Sequence, residues 1–250
     1  MRNAIHSSAD SLSDNIHPRA IASSIWNGGR HLGSANDGFG RDRDISPSAT
    51  HQVERDRQIL EQILSLSHVI DAEKFAIELI EEHGSLGAAL SAGAEAKLPS
   101  PISAVLSVVH AALLETSRAK IDVRSPLTSA VVVIEYLMIA MAHLPVEEIR
   151  VLFLDMKNRL ICDEAMGRGS MSEAPIYPRE ILKRALALEA SALILAHNHP
   201  SGDPEPSDAD IRGTERLAIA GKELGIAIHD HIIVGRSGWV SMRDSGLWKW

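Results

Sequence analysis

The sequence predicts a mixed α/β domain with a central sheet, preceded by a small all-helical module and an unstructured N-terminal tail. Three observations carry that reading. Residues 1–50 are rich in Ser, Asn, Gly, Asp and Arg and sustain no hydrophobic period, as in segments that cannot bury enough apolar surface to fold. From Gln52 to Lys120 apolar residues recur at helical spacing. Beyond about residue 125, short aliphatic and β-branched runs alternate with helical segments, the pattern of helices packed on a sheet.

Taken in order, Ile21–Trp26 is a candidate docking element within the tail, although a solvated tail is the simpler expectation. In the helical module, Ile59, Leu60, Ile63, Leu64 and Leu66 mark one apolar face. Asp71 is the expected N-cap of a helix over Ala72–His83, which Gly84 stops; Leu86–Ala92 and Pro101–Arg118 read as further helices. Ser125–Pro126 supplies a cap and a first-turn proline for a helix reaching about Ala142, and Pro145 breaks the pattern. Ile149–Asp155 and Arg159–Ala165 read as strands of a hairpin turning at Lys157–Asn158, and Gly167–Ser170 reads as a loop. Pro178–Glu189 is an amphipathic helix and Ser191–Ala196 a buried strand. Ser207 caps a helix to about Leu224, ended by Gly225; Ile226–Val234 and Trp239–Met242 close the sheet. The expected domains are a tail over 1–50, a helical module over 51–122 and an α/β domain over 125–250.

At 250 residues and 45% hydrophobic content the chain can hold one or two domains with substantial cores. Aromatic residues make up 4%, so packing rests on Leu, Ile, Val and Ala. A net charge of −8 argues against a broad basic surface for nucleic acid. Cys162 is the single cysteine, which excludes an intrachain disulfide and a cysteine-built zinc site and suits a reducing cytoplasm. The N-terminus lacks the apolar core of a signal peptide. The run Ala130–Leu144, interrupted by Glu135 and Tyr136, is too short for a membrane span and reads as a buried helix.

The chemistry concentrates in His197–Asp210. Residues two apart in extended chain share a face, so His197 and His199, just past the strand, can aim two imidazoles at one point. Asp210 returns on the first turn of the next helix. Two His nitrogens and one carboxylate, with a fourth position open, form the ligand set of a catalytic zinc site. The bland alternative is a turn-rich loop that happens to contain a His-x-His. Ser207 is expected to cap the helix, and its hydroxyl can also assist at an oxyanion. A general base has to come from elsewhere, and Glu147 and Glu148, just ahead of a strand, are the candidates; solvated surface acids are the competing reading. Asp203 and Glu205 are expected to face solvent. His231 is expected to be structural rather than a partner of a ligand, and a separate His229/His231 metal site lacks an evident third ligand.

Val151–Asp155, Pro178–Glu180, Ala196–Gly202, Pro206–Ser207, Asp210 and Asp230–Gly235, in that order and spacing, resemble the RadC family of bacterial proteins, which carries a JAMM (MPN-plus) domain. The resemblance covers about residues 125–250. It implies a cytidine-deaminase-like α/β sandwich and zinc-dependent isopeptidase chemistry. Carried over, it makes His197, His199 and Asp210 the zinc ligands and Ser207 the oxyanion-side hydroxyl. The family pattern Glu-x-aromatic-x-Val falls on Glu147, with Ile149 at the aromatic position and Glu148 as the neighbouring alternative. The helical module resembles the family's helix-hairpin-helix region, but the expected turn reads Leu98-Pro99-Ser100-Pro101 and lacks the glycine through which such hairpins approach phosphate.

The leading expectation is therefore a zinc metallopeptidase acting on a peptide or isopeptide in the cytoplasm, with no membrane partner. A DNA-associated protein that keeps the fold for binding is the alternative, and a metal-dependent nuclease using Asp203 and Glu205 is a third reading.

Overall fold

A computed structural model describes residues 47–93, 98–121, 127, 130–169 and 175–247. Most of the predicted tail, including Ile21–Trp26, and the Ser125–Pro126 helix start lie outside the described residues.

Helices α1 (Pro47–Leu66), α2 (Ala72–His83), α3 (Leu86–Ala92) and α4 (Ser100–Lys120) gather one core. Leu60 and Leu64 meet Ala76, Leu79, Ile80, Ala89, Leu90, Ile102 and Leu106, the apolar stripes that helical spacing places on facing sides. The first helix starts inside the span expected to be tail. Asp71 does not cap α2 through its side chain: it sits at φ 60, ψ 36, and its carbonyl rather than its carboxylate takes the Phe75 N–H. Gly84, at φ 83, ends the helix as expected. Among the described residues, α4 is the helix long and apolar enough to cross a membrane, a property not singled out in the sequence; it places Ile102 and Leu106 in this core and ends on Arg118 and Lys120.

The α/β part is a five-stranded sheet of order β2-β1-β3-β4-β5. Strands β1 (Glu148–Leu154) and β2 (Leu160–Arg168) form the antiparallel hairpin. Strand β3 (Ala192–Asn198) runs antiparallel to β1, β4 (Ala227–Gly235) runs parallel to β3, and β5 (Gly238–Ser241) turns back antiparallel. Strand pleating divides the apolar residues between two layers. Ile149, Val151, Phe153, Leu193 and Leu195 pack under α6 (Pro178–Ala187) and α7 (Asp208–Glu223). Leu152, Leu154, Ile194, Ala196, Ile232 and Val234 pack under α5 (Ala130–Met141), whose Val133, Tyr136, Leu137 and Met141 are buried.

Two departures from expectation bear on the site. Gly167 and Arg168 belong to β2 rather than to a loop, because they pair with Ile149 and Glu148. His229 is an extra residue in β4: Leu193 pairs with Ile228 but Ile194 pairs with Asp230. Such a bulge reverses the alternation beyond it, and it turns His231 toward the α7 side of the sheet.

Candidate metal centre

His197 lies within β3, beyond the Ala196 limit expected for that strand, and pairs with Ile149 on one side and Ile233 on the other. The pleat gives it the same side as Leu193 and Leu195, under α7, and it is 3% exposed. His199 follows just past the strand. Its N–H donates to the Val234 carbonyl at 2.8 Å, which keeps the departing chain in line with the sheet. The two rings meet edge to face, with centroids 5.0 Å apart. The chain then turns at Gly202, whose φ of +94 favours glycine.

Ser207 is the N-cap of α7. Its hydroxyl accepts from the Asp210 N–H, and Asp210 reaches back to the Ser207 N–H, a capping box closed by Asp rather than the usual Glu. This fixes the Asp210 carboxylate toward both histidines. Oδ1 accepts from His197 Nδ1 at 2.9 Å. Oδ2 accepts from the Ser207 amide at 2.8 Å and hydroxyl at 2.6 Å, and lies 3.5 Å from His199 Nε2. Burial works against ionisation of Asp210, but the bonds from His197 and His199 outweigh it and hold this carboxyl far below the usual range. The same pairing raises His199.

The neighbouring glutamates separate cleanly, and neither is a solvated surface acid: Glu147 is 8% and Glu148 2% exposed. Glu147 turns to the site, with Oε2 at 3.4 Å from His197 Nε2. Glu148 turns to the opposite side, where it accepts from Arg150 at 2.9 Å and Arg168 at 3.1 Å. Arg150 also holds Asp163, which pairs with the Tyr136 hydroxyl. Glu148 is therefore occupied in a buried ion network on the α5 side.

The partners dictate the imidazole tautomers. His199 Nδ1 faces the Asp203 carbonyl at 2.9 Å, which can only accept, so Nδ1 carries the proton. His197 Nδ1 likewise donates to Asp210, leaving Nε2 as a buried atom with no hydrogen-bond partner among the described residues. His199 is thus held by an outer oxygen, the Asp203 carbonyl, and directs Nε2 inward, as a metal-ligating histidine does. Glu147, His197 and His199 each offer a ligand atom within 4.8 Å of the others. Donors sharing a tetrahedral zinc at about 2.0–2.1 Å sit about 3.4 Å apart. The Glu147–His197 and His199–Asp210 separations of 3.4 and 3.5 Å are of that size, so the donor set suits a small divalent cation.

The other candidates lie elsewhere. The side chains of Asp203 and Glu205 are in an exposed loop; Asp203 matters through its carbonyl. His229 bonds Asn158 at 2.7 Å, and burial lowers it to about 4. His231 is fully buried, stacks on His197 at 6.2 Å and meets the Thr214 hydroxyl at 2.7 Å. The bulge separates His229 and His231, so they do not form a common metal site. Sequence reasoning missed Thr214, whose hydroxyl also donates to the Asp210 carbonyl at 2.6 Å. It missed Asn198 as well. Thr214 stands one turn after Asp210 on the helix, and that spacing is the signal that would have found it.

Residues 127–247 match the family model described as RadC-like JAB domain. The chain is also 44% identical over 187 residues to a UPF0758 protein of Rhodobacter capsulatus, an alignment that covers 71% of this chain and 85% of the relative. A histidine pair, a helix-capping aspartate and a facing glutamate at one end of this sheet thus occur in a chain that belongs to the RadC family and carries its JAB domain.

Proposed function

We propose that this protein is a zinc-dependent hydrolase of amide bonds, a metallopeptidase or isopeptidase in type, with a peptide or isopeptide as substrate. The observation that carries the reading is that Glu147, His197 and His199 each offer a ligand atom within 4.8 Å of the others, with Asp210 Oδ2 3.5 Å from His199 Nε2. Zinc held there supplies a Lewis acid and a water nucleophile active near neutral pH.

The two carboxylates divide the work by their surroundings. Asp210 is pinned by both donors of Ser207 and by His197, as a ligating carboxylate has to be. Among the described residues the Glu147 carboxylate meets only His197, so its lone pairs remain available. In this reading His197, His199 and Asp210 would hold the ion, and Glu147 would be the base that takes a proton from the attacking water and returns it to the leaving nitrogen. Ser207 orients Asp210 through its amide N–H, and in this reading its hydroxyl exchanges its bond to that carboxylate for one to the developing oxyanion. The single cysteine supports a reducing cytoplasmic setting.

The test is elemental analysis of the purified protein beside His199→Ala, each after zinc reconstitution. About one zinc per chain in the first and little in the second is expected for a site with this ligand set. No zinc in either would refute the reading.

A further inference from the structure

We propose that Asn198, the residue between the two histidines, is a positioning residue that sets Glu147 over the metal centre; the inference rests on the role given to Glu147 above. Strand alternation sends His197 and Asn198 to opposite sides of the sheet. Asn198 therefore cannot contribute to the centre directly, and packing alone would accept any small residue there. Instead it is a 1% exposed amide with both ends engaged. Its Oδ1 accepts the Glu148 N–H at 2.8 Å, and its Nδ2 donates to the Val146 carbonyl at 3.1 Å. Those partners are the peptide groups on either side of Glu147.

The β1–β3 ladder ends at the Ile149–His197 pair. Beyond it, no described residue of β3 pairs by its main chain with residues 146–148, and the Asn198 side chain stands in for one peptide group of a neighbouring strand. On the other flank the Gly169 N–H donates to the Glu147 carbonyl at 2.9 Å. Glu147 is thus gripped on both flanks, by Asn198 of β3 and by Gly169 just past β2, and only the β3 grip depends on a side chain. One three-residue unit, His197-Asn198-His199, presents both imidazoles on one face and locates the carboxylate through the other. A tight grip matters because a proton acceptor has to stand within hydrogen-bond reach of its water.

The test uses the full chain and two readouts. In the metal-free protein, amide exchange at Glu148 should be at least about tenfold faster in Asn198→Ala, the effect of losing one ordinary hydrogen bond. Exchange at Val151 and Phe153 should be unchanged. In the Co2+-loaded protein, Glu147→Gln should alter the visible absorption spectrum. Asn198→Ala should move the spectrum in the same direction by at least about half as much. The double variant should match Glu147→Gln alone, because residues acting through one group are not additive. Asn198→Ser, a smaller change, serves if the alanine variant does not fold. Unchanged Glu148 exchange would overturn the grip itself. Faster exchange with a wild-type cobalt spectrum, in a protein where Glu147→Gln does alter it, would reduce Asn198 to a structural role. Cobalt bound with no effect of Glu147→Gln would overturn the Glu147 assignment and the positioning role together. Failure to bind cobalt at all would refute the metal reading and with it any positioning toward a metal.

Discussion

Gly235 tests whether the loop behind His199 supports the metal centre. A Cβ at this position would stand 2.4 Å from the Gly202 carbonyl oxygen, 2.8 Å from its carbon and 3.0 Å from the Pro204 nitrogen. All three are backbone atoms, so no side chain can swing aside. Ordinary contact begins near 3.4 Å, so Gly235→Ala has to push the loop back by about 1 Å. The Gly202 oxygen accepts from the Ser237 N–H at 3.0 Å and from its hydroxyl at 2.7 Å, and that displacement takes both beyond hydrogen-bond range. Overpacking at about 1–3 kcal/mol plus two bonds at about 1 kcal/mol each gives a loss of about 3–5 kcal/mol. In a chain of this size that lowers Tm by roughly 6–20 °C. The same retreat carries away the Asp203 carbonyl that holds His199 Nδ1 at 2.9 Å, so zinc should bind about 10–100-fold more weakly. The assay pairs a thermal melt with chelator competition for zinc. Leu79→Ala is the control: buried in the helical core, it costs about 2–5 kcal/mol and should leave zinc affinity unchanged. A Gly235→Ala variant with wild-type zinc affinity would refute the argument, whatever its Tm.

Two further predictions concern charge. Burial lowers His229 to about 4 from 6.5, so between those values the folded state binds fewer protons than the unfolded state, and stability falls as pH drops from about 6.5 to about 4. At 1.36 kcal/mol per unit the full effect is about 3 kcal/mol, and His231, lowered to about 3 by burial, adds to it in the same direction. Relative to wild type, His229→Gln should therefore gain about 3 kcal/mol between pH 7 and pH 4 in urea titrations; parallel stability curves would count against a neutral buried His229. Glu148→Gln weakens the pairing of Arg150 and should cost about 1–3 kcal/mol while leaving zinc loading intact. Loss of zinc with unchanged stability would refute the placement of Glu148 in an ion network away from the metal centre.

Much of this protein is legible along the chain because its signals are local. Helical spacing in Leu60 and Leu64, the Ser207 cap, the Gly84 stop and the short apolar strands each depend on neighbours a few residues away, and each determines an element. The candidate site is legible for the same reason: His197 and His199 share a strand direction, and Asp210 stands one turn past a cap. What the sequence could not supply depends on register and on faces. Glu147 and Glu148 are equivalent as letters, and only the pairing of β1 with β3 and β2 sends one to His197 and the other to Arg150 and Arg168. A one-residue shift exchanges faces, so their roles rest on the ladder. Alternation alone would leave His231 on the far side, but the extra residue in β4 brings it beside His197. Asn198 looks like a spacer until its partners, some fifty residues earlier in the chain, are in place. The sequence by itself determined the elements and the donor types, since propensity, capping and spacing act over a few residues; tertiary structure decided which carboxylate meets the histidines, since that depends on strands far apart in the chain.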